Sequence, residues 1–244
     1  MRQILSLNAN WTFRHGRTGM TETVNIPHTY NAVDGQDGGN DYFRGTCTYE
    51  KTFSHPGVDG SVWLEFQGVS NRADVWLNDV HVMTHEGGYS TFRAEVTTLL
   101  RAENTLRVDV DNADNDTVYP QKADFTFYGG IYRDVRLLCV PKEHFELGYF
   151  GTQGIKVTPT VDLSSGCADV LVETWQNAAS VTMVIGTDCQ TVASVDGKAS
   201  ALFHIEHVHL WDGVDDPYLY EARAVLASGD EVSTRFGCRS YRID

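Results

Sequence analysis

The sequence predicts an all-β protein built from sandwiches, and three observations carry that expectation. Apolar and polar residues alternate with a period of two through much of the 244-residue chain. Runs rich in β-branched and aromatic residues are separated by turn signals such as Asp59-Gly60, Glu86-Gly87-Gly88, Asp196-Gly197 and Ser228-Gly229-Asp230. Only Val96 to Arg101 reads as helical, and it is short. Many short strands joined by such turns specify sandwiches or barrels.

The elements follow in order. Residues 46–53 and 62–66 read as strands, with Val62, Leu64 and Phe66 sharing one face of the second. Residues 72–77 come next. Thr105 to Asp111 then puts Leu106, Val108 and Val110 on one face and charge on the other. A long apolar strand, 131–140, is interrupted by Pro141-Lys142-Glu143-His144, which sets a first domain at residues 1–142 and a second at 143–244. In the second, residues 154–161, 168–175, 180–185, 199–206 and 218–227 read as strands of an immunoglobulin-like sandwich. Trp175 lies too close to both Cys167 and Cys189 for the Cys–Trp–Cys spacing of antibody domains, so no pinning disulfide is expected.

Composition excludes several classes of function. A formal charge of -14 argues against nucleic acid or an anionic membrane surface as partner. No run of eighteen apolar residues exists to span a bilayer. The segment Met1 to Asn8 lacks the apolar core of a signal peptide, so a cytoplasmic location is expected, or a periplasmic one if a signal has been removed. The five cysteines, Cys47, Cys139, Cys167, Cys189 and Cys238, show no CxxC spacing and read as free, mostly buried thiols.

Residue patterns alone supply no complete catalytic set and no metal site. Asp109 to Asp116 is acidic, but Ala113, Asp114 and Pro120 stand where a calcium loop needs an oxygen ligand, Gly and Glu. His204, His207 and His209 lie close in sequence; in an extended strand His207 and His209 would share a face while His204 points away. There is no GxSxG elbow, P-loop or GxGxxG after a strand.

A resemblance supplies what spacing does not. Asn10-Trp11-Thr12-Phe13, Ile26-Pro27-His28-Thr29-Tyr30-Asn31 and Asp41-Tyr42-Phe43-Arg44-Gly45 follow one another, the last leading to Tyr49-Glu50-Lys51-Thr52-Phe53. Ala73-Asp74-Val75-Trp76-Leu77-Asn78, His85-Glu86-Gly87-Gly88-Tyr89-Ser90-Thr91-Phe92 and DFTFYGGIYRDV (residues 124–135) come next. Leu210-Trp211 with Asp216-Pro217-Tyr218-Leu219-Tyr220, and Phe236-Gly237-Cys238-Arg239, close the series. In this order the phrases resemble the opening of glycoside hydrolase family 2, which holds β-galactosidases, β-glucuronidases and β-mannosidases. Cys47 and Cys238 depart from the family's usual residues.

The resemblance implies a jelly-roll sugar-binding domain followed by the immunoglobulin-like sandwich. It also implies a (β/α)8 catalytic barrel after them, carrying two glutamates and needing roughly 250 more residues. The family's acid/base Glu follows an Asn, and no Asn-Glu dipeptide occurs in this sequence. No catalytic residue is therefore expected here, and this chain alone is expected to be inactive. Its implied partners are a β-galactoside-like carbohydrate and the barrel of the same polypeptide, with room for a homo-oligomer. No cofactor is implied, though a monovalent or divalent cation is compatible with the full-length parent.

Within DFTFYGGIYRDV, Asp124 matches the acid that reaches the family's active site to bind sugar hydroxyls, where a charged acceptor makes strong hydrogen bonds. Arg44 is a second candidate for the rim, where a guanidinium clamps carboxylates and hydroxyls or else forms a surface ion pair. Phe125, Phe127 and Tyr128 either pack the loop or offer a flat face to a pyranose ring. Gly129-Gly130 allows a turn before Ile131, and His28 reads as a structural histidine. Arg133 and Asp134 read as a strand-end pair. Tyr132-Arg133-Asp134 favours β-galactosidase over β-glucuronidase, which tends toward Arg-Ser there. The rivals are a β-glucuronidase or β-mannosidase fragment, a free-standing carbohydrate-binding module, or a self-associating scaffold.

Overall fold

The computed structural model describes residues 2–34, 42–119 and 126–241. Contacts divide the chain into two compact units: Gln3–Cys139, and Arg2 together with the residues from Val140 onward. The first is a jelly-roll β-sandwich and the second an immunoglobulin-like β-sandwich.

The first unit contains β1 (Gln3–Ser6), β2 (Trp11–Arg14), β3 (Thr21–Val24), β4 (Thr46–Ser54), β5 (Ser61–Phe66), β6 (Arg72–Leu77), β7 (Val80–Glu86), β8 (Phe92–Glu95), β9 (Glu103–Asp111) and β10 (Val135–Val140). One sheet has six strands in the order β3-β2-β4-β9-β6-β7; the other has four, β1-β10-β5-β8. Alternation dictates their inner faces. Leu106, Val108 and Val110 of β9 are fully buried, as are Val62, Leu64 and Phe66 of β5 to within 1%. Trp11, Phe13 and Tyr49 join them in one core, and the Trp11 indole N–H donates to the Leu7 carbonyl at 2.7 Å. Full burial of each such side chain contributes about 1.5–3 kcal/mol.

The acidic end of β9 is occupied by its neighbour. In the β4–β9 register Thr48 lies opposite Asp109 and Thr46 opposite Asp111. Both threonine hydroxyls donate to those carboxylates, at 2.9 and 2.6 Å, and Ala113 N–H donates to Asp111 at 2.6 Å.

Several expectations need correction. The apolar run 131–140 is strand only from Val135; before it, the Ile131 and Asp134 carbonyls accept from His28 and Gln67 of other loops, so that stretch is irregular. The helical segment reduces to a 3-10 turn, Thr97–Leu99. Strands β1, β2, β3, β7 and β8 went unforeseen in this unit; β1 and β3 are solvent-exposed throughout or nearly so, while β2 and β8 bury Trp11, Phe13 and Phe92 but run only four residues, too short for alternation to mark them.

The second unit contains β11 (Ile155–Asp162), β12 (Cys167–Trp175), β13 (Ser180–Ile185), β14 (Asp188–Ala193), β15 (Lys198–Ile205), β16 (Tyr220–Val225) and β17 (Glu231–Phe236). They form a three-stranded sheet, β11-β12-β15, and a four-stranded one, β14-β13-β16-β17. Phe145, Val170, Val172, Met183 and Phe203 fill the core between them. Arg2 completes this unit: its guanidinium grips Asp230 through two bonds of 3.0 and 2.9 Å, and Asp230 also accepts from Phe145 N–H at 2.9 Å. Asp230 is fully buried, so this pairing satisfies a carboxylate that would otherwise be costly.

His204, His207 and His209 of this unit do not share a strand. β15 ends at Ile205, and His207 takes a left-handed φ of 51°. His204 pairs with Asp169 at 2.8 Å, while His209 pairs with Asp216 at 2.7 Å and stacks on Tyr218 with ring centroids 4.1 Å apart. All five cysteines are free thiols, with Cys47, Cys139 and Cys238 buried and Cys189 exposed.

Candidate functional site

The Gly129-Gly130 turn organises the loops at one end of the jelly roll. His28 N–H donates to the Ile131 carbonyl at 2.8 Å and Tyr30 N–H to the Gly129 carbonyl at 3.1 Å. On the other side Ser70 and Gly130 exchange backbone bonds of 3.0 and 3.3 Å. The turn is wedged between two neighbours, and that explains both glycines. A Cβ on Gly129 would lie 2.0 Å from the Tyr30 hydroxyl. On Gly130, whose φ is +139°, it would lie 2.3 Å from the His28 carbonyl oxygen. The turn therefore serves close approach of chain segments as well as entry into a buried strand.

Two buried asparagines hold the neighbouring loops. Asn31 donates to the carbonyls of Phe43 and Phe127 at 3.3 Å each and accepts from Gly129 N–H at 2.9 Å. Asn112 donates to the same two carbonyls, at 3.2 and 2.9 Å, and accepts from Gly45 N–H at 2.9 Å. Each satisfies buried backbone groups of two separate loops, which is why amides stand there. Neither was assigned a role from sequence; the only local signal is that Asn31 ends the Pro-His phrase and Asn112 directly follows β9.

Beneath them sits an aromatic floor. His28 Nδ1 lies 2.8 Å from the Tyr49 hydroxyl and its ring packs on Phe13, centroids 4.9 Å apart. Burial pushes the His28 pKa down, partly offset by Glu22, and pushes the Tyr49 hydroxyl well up. His28 is structural, as its loop position implied.

The opposite wall is the Gly87–Ser90 loop. The Tyr132 hydroxyl donates to the Gly88 carbonyl, and Arg133 donates to the Tyr89 carbonyl at 3.0 Å. Asp134 is bound by Asn8 at 3.0 Å and by Arg136 at 2.5 Å, which hold its carboxyl below the usual range. All three residues of Tyr132-Arg133-Asp134 thus make bonds within this unit.

Between these walls lies a cleft of about 590 Å³, with Thr29, Ser70, Asn71, Tyr89, Phe127 and Tyr128 prominent in its lining. A cavity of about 300 Å³ adjoins it through shared residues Asn71, Tyr89 and Phe127. Both volumes are those of small-ligand sites, which run from about 300 to 1,000 Å³. No ionised side chain stands among the described lining residues of either. The pairing of ring faces with hydroxyls and an amide is suited to a neutral, hydroxyl-bearing ligand.

Asp124 and Phe125 lie outside the described residues. Arg44 stands one layer behind the cleft. Its Nε donates to the Asn112 carbonyl at 2.8 Å, its Nη1 pairs with Asp114 at 2.6 Å, and its guanidinium lies 4.9 Å over the Phe127 ring. Phe127 lines both cavities, so Arg44 touches the site through that ring. Tyr128 lines the larger cleft and is 42% exposed, so it contributes surface as well as packing.

Comparison with known proteins places these features. Residues 4–141 match the family described as glycosyl hydrolases family 2, sugar binding domain, and residues 153–239 match glycosyl hydrolases family 2. The chain belongs to glycosyl hydrolase family 2. A β-glucuronidase of Bacteroides fragilis is 35% identical over 268 residues, covering 100% of this chain and 39% of its own length. A β-galactosidase of Thermoanaerobacterium thermosulfurigenes is 28% identical, covering 98% of this chain and 37% of itself. Among solved structures, the FMN-binding β-glucuronidase from Facaelibacterium prausnitzii L2-6 superposes with a TM-score of 0.91 at 37% identity, over 100% of this chain and 40% of that one. The family 2 chain thus spans about two fifths of the length of these relatives.

Proposed function

We propose that this chain is the non-catalytic, sugar-facing amino-terminal part of a retaining exo-β-glycosidase. One observation carries the reading: the loops of three separate family 2 phrases converge on an aromatic-lined cleft whose described lining residues carry no charge. In the complete enzyme a (β/α)8 barrel supplies the two glutamates. One attacks the anomeric carbon; the other protonates the leaving oxygen and then activates water. This chemistry needs no cofactor. The jelly roll forms one wall of the sugar pocket, with Asp124 accepting hydrogen bonds from sugar hydroxyls and Arg44 steadying the rim through Phe127.

The substrate is a β-galactoside or a β-glucuronide. In Tyr132-Arg133-Asp134, the sequence argument for galactose, Arg133 and Asp134 are bonded within the protein while Tyr132 lines the cleft, so the phrase alone does not choose the sugar. The 35% and 37% relatives are β-glucuronidases, which favours the glucuronide as the second reading.

Sequencing the coding DNA past the Asp244 codon and assaying the encoded protein tests the proposal. An open frame carrying Asn-Glu, with hydrolysis of 4-nitrophenyl β-galactoside or β-glucuronide, is expected. The preferred sugar selects between the two substrates, and Asp124→Ala is expected to lower kcat/KM by about tenfold or more. A stop codon directly after Asp244 overturns the hydrolase reading and leaves a sugar-binding module.

A further inference from the structure

The core of the second unit holds two polar side chains that the protein itself leaves unsatisfied. Strand β12 alternates inward and outward, and its inner face runs through Val170, Val172 and Thr174. The alternation carries on to Gln176, just past the end of the strand. Thr174 is 0% exposed and Gln176 3%. The Gln176 side-chain nitrogen donates to the Ser194 hydroxyl at 2.8 Å, but no described group meets its oxygen, Oε1. The Thr174 hydroxyl has no partner among the described residues either. Other buried polar groups are treated differently: Asn78 and Asn104 bond each other at 2.9 Å, and Asp230 is gripped by Arg2.

The two oxygens form one feature, because their residues are neighbours on one extended face. At about 3.3 Å of rise per residue, their Cα atoms stand about 6.6 Å apart. One atom bonded to both oxygens, at about 2.8 Å each, matches that spacing. In the register Thr174 lies between Ile155 on β11 and Ala199 on β15. Ala199 has no atoms beyond Cβ to fill the space beside the hydroxyl.

The chemistry of the pair selects what stands there. The Gln176 oxygen only accepts, so its partner must bring a hydrogen or a positive charge. An anion would face that oxygen with lone pairs. A calcium-like cation takes about six to eight oxygens, where two stand here. Water offers two donors and two acceptors in one small molecule, and buried waters are held by about two to four polar partners.

We propose that a single internal water molecule bridges Thr174 Oγ1 and Gln176 Oε1 in the core of the second sandwich. It donates to the Gln176 oxygen and shares a hydrogen bond with the Thr174 hydroxyl. Through Gln176 and Ser194 the bonds run from β12 of one sheet to the residue after β14 of the other, so the water helps to lock the two sheets together.

The test combines diffraction from crystals of the 244-residue chain, at a resolution that shows ordered water, with melting temperatures of two variants. The expected result is density within about 3.2 Å of both oxygens. Thr174→Val keeps the shape of the side chain and removes the hydroxyl. With the water in place it breaks one of that molecule's bonds, so the density should vanish and the melting temperature should fall by about 4 °C. Thr174→Ser keeps the hydroxyl and should keep the density. Wild-type crystals without density at that point overturn the proposal, as does a protein group found bonded to both oxygens. A higher melting temperature for Thr174→Val also overturns it, since removing a buried hydroxyl that has no partner is stabilising. Should Thr174→Val fail to fold, the wild-type and Thr174→Ser density decide.

Discussion

At Gly130 a missing side chain decides the local structure. Its φ of +139° and the 2.3 Å between a would-be Cβ and the His28 carbonyl oxygen leave no room for alanine, because the obstacle is backbone. Gly130→Ala should cost about 2–4 kcal/mol in urea unfolding. Gly19→Ala, at φ +68° but facing open space, should cost only about 1 kcal/mol. Equal losses at the two positions would remove the close-approach argument. His28 makes a different kind of prediction. Burial lowers its pKa below the ordinary 6.5, so above that pH it is neutral in both folded and unfolded chains and costs nothing. As pH falls below about 6.5 the unfolded chain takes up a proton that the folded one resists, so stability falls until the folded pKa is passed. His85, also lowered by burial, acts in the same direction. Melting temperatures between pH 7.5 and 5 should decline, and His28→Gln should flatten the decline.

At the scale of elements, most of the longer core strands were legible, while the exposed edges, the four-residue β2 and the six-residue β17 were not. β6 and β13 fall where alternation put them, because Arg72, Asp74, Ser180 and Thr182 alternate with the buried Ala73, Val75, Val181 and Met183. β1 and β3 bury nothing fully, so no contrast marks them; partner strands specify them instead. The loops around the cleft were legible as phrases but not as a mechanism. Asn31 acts on Gly129, 98 residues away, and Asn112 on Gly45, 67 residues away, distances over which periodicity carries no signal. Asn112→Ala leaves the Gly45 N–H without its acceptor and removes one of two donors from the Phe43 and Phe127 carbonyls, and should cost about 1–3 kcal/mol. Faster hydrogen exchange at the Gly45 amide would mark the loss, and an unchanged rate there would show that another group holds the loop.

For the whole molecule, the second unit depends on a residue from the start of the chain. Asp230→Ala strands the Arg2 guanidinium, whose side chain is 13% exposed, and leaves Phe145 N–H without its acceptor. A loss of about 3 kcal/mol is expected, seen in the unfolding transition of this unit. Adding Arg2→Met should recover part of it; if the double variant is no better than the single, the ion pair is not what Asp230 supplies. This pair also has a meaning for synthesis on the ribosome. Arg2 and Asp230 are 228 residues apart, so the first emerges long before its partner. A nascent chain can assemble its jelly roll while translation continues, but its second sandwich waits, with Arg2 hydrated, until Asp230 has been added.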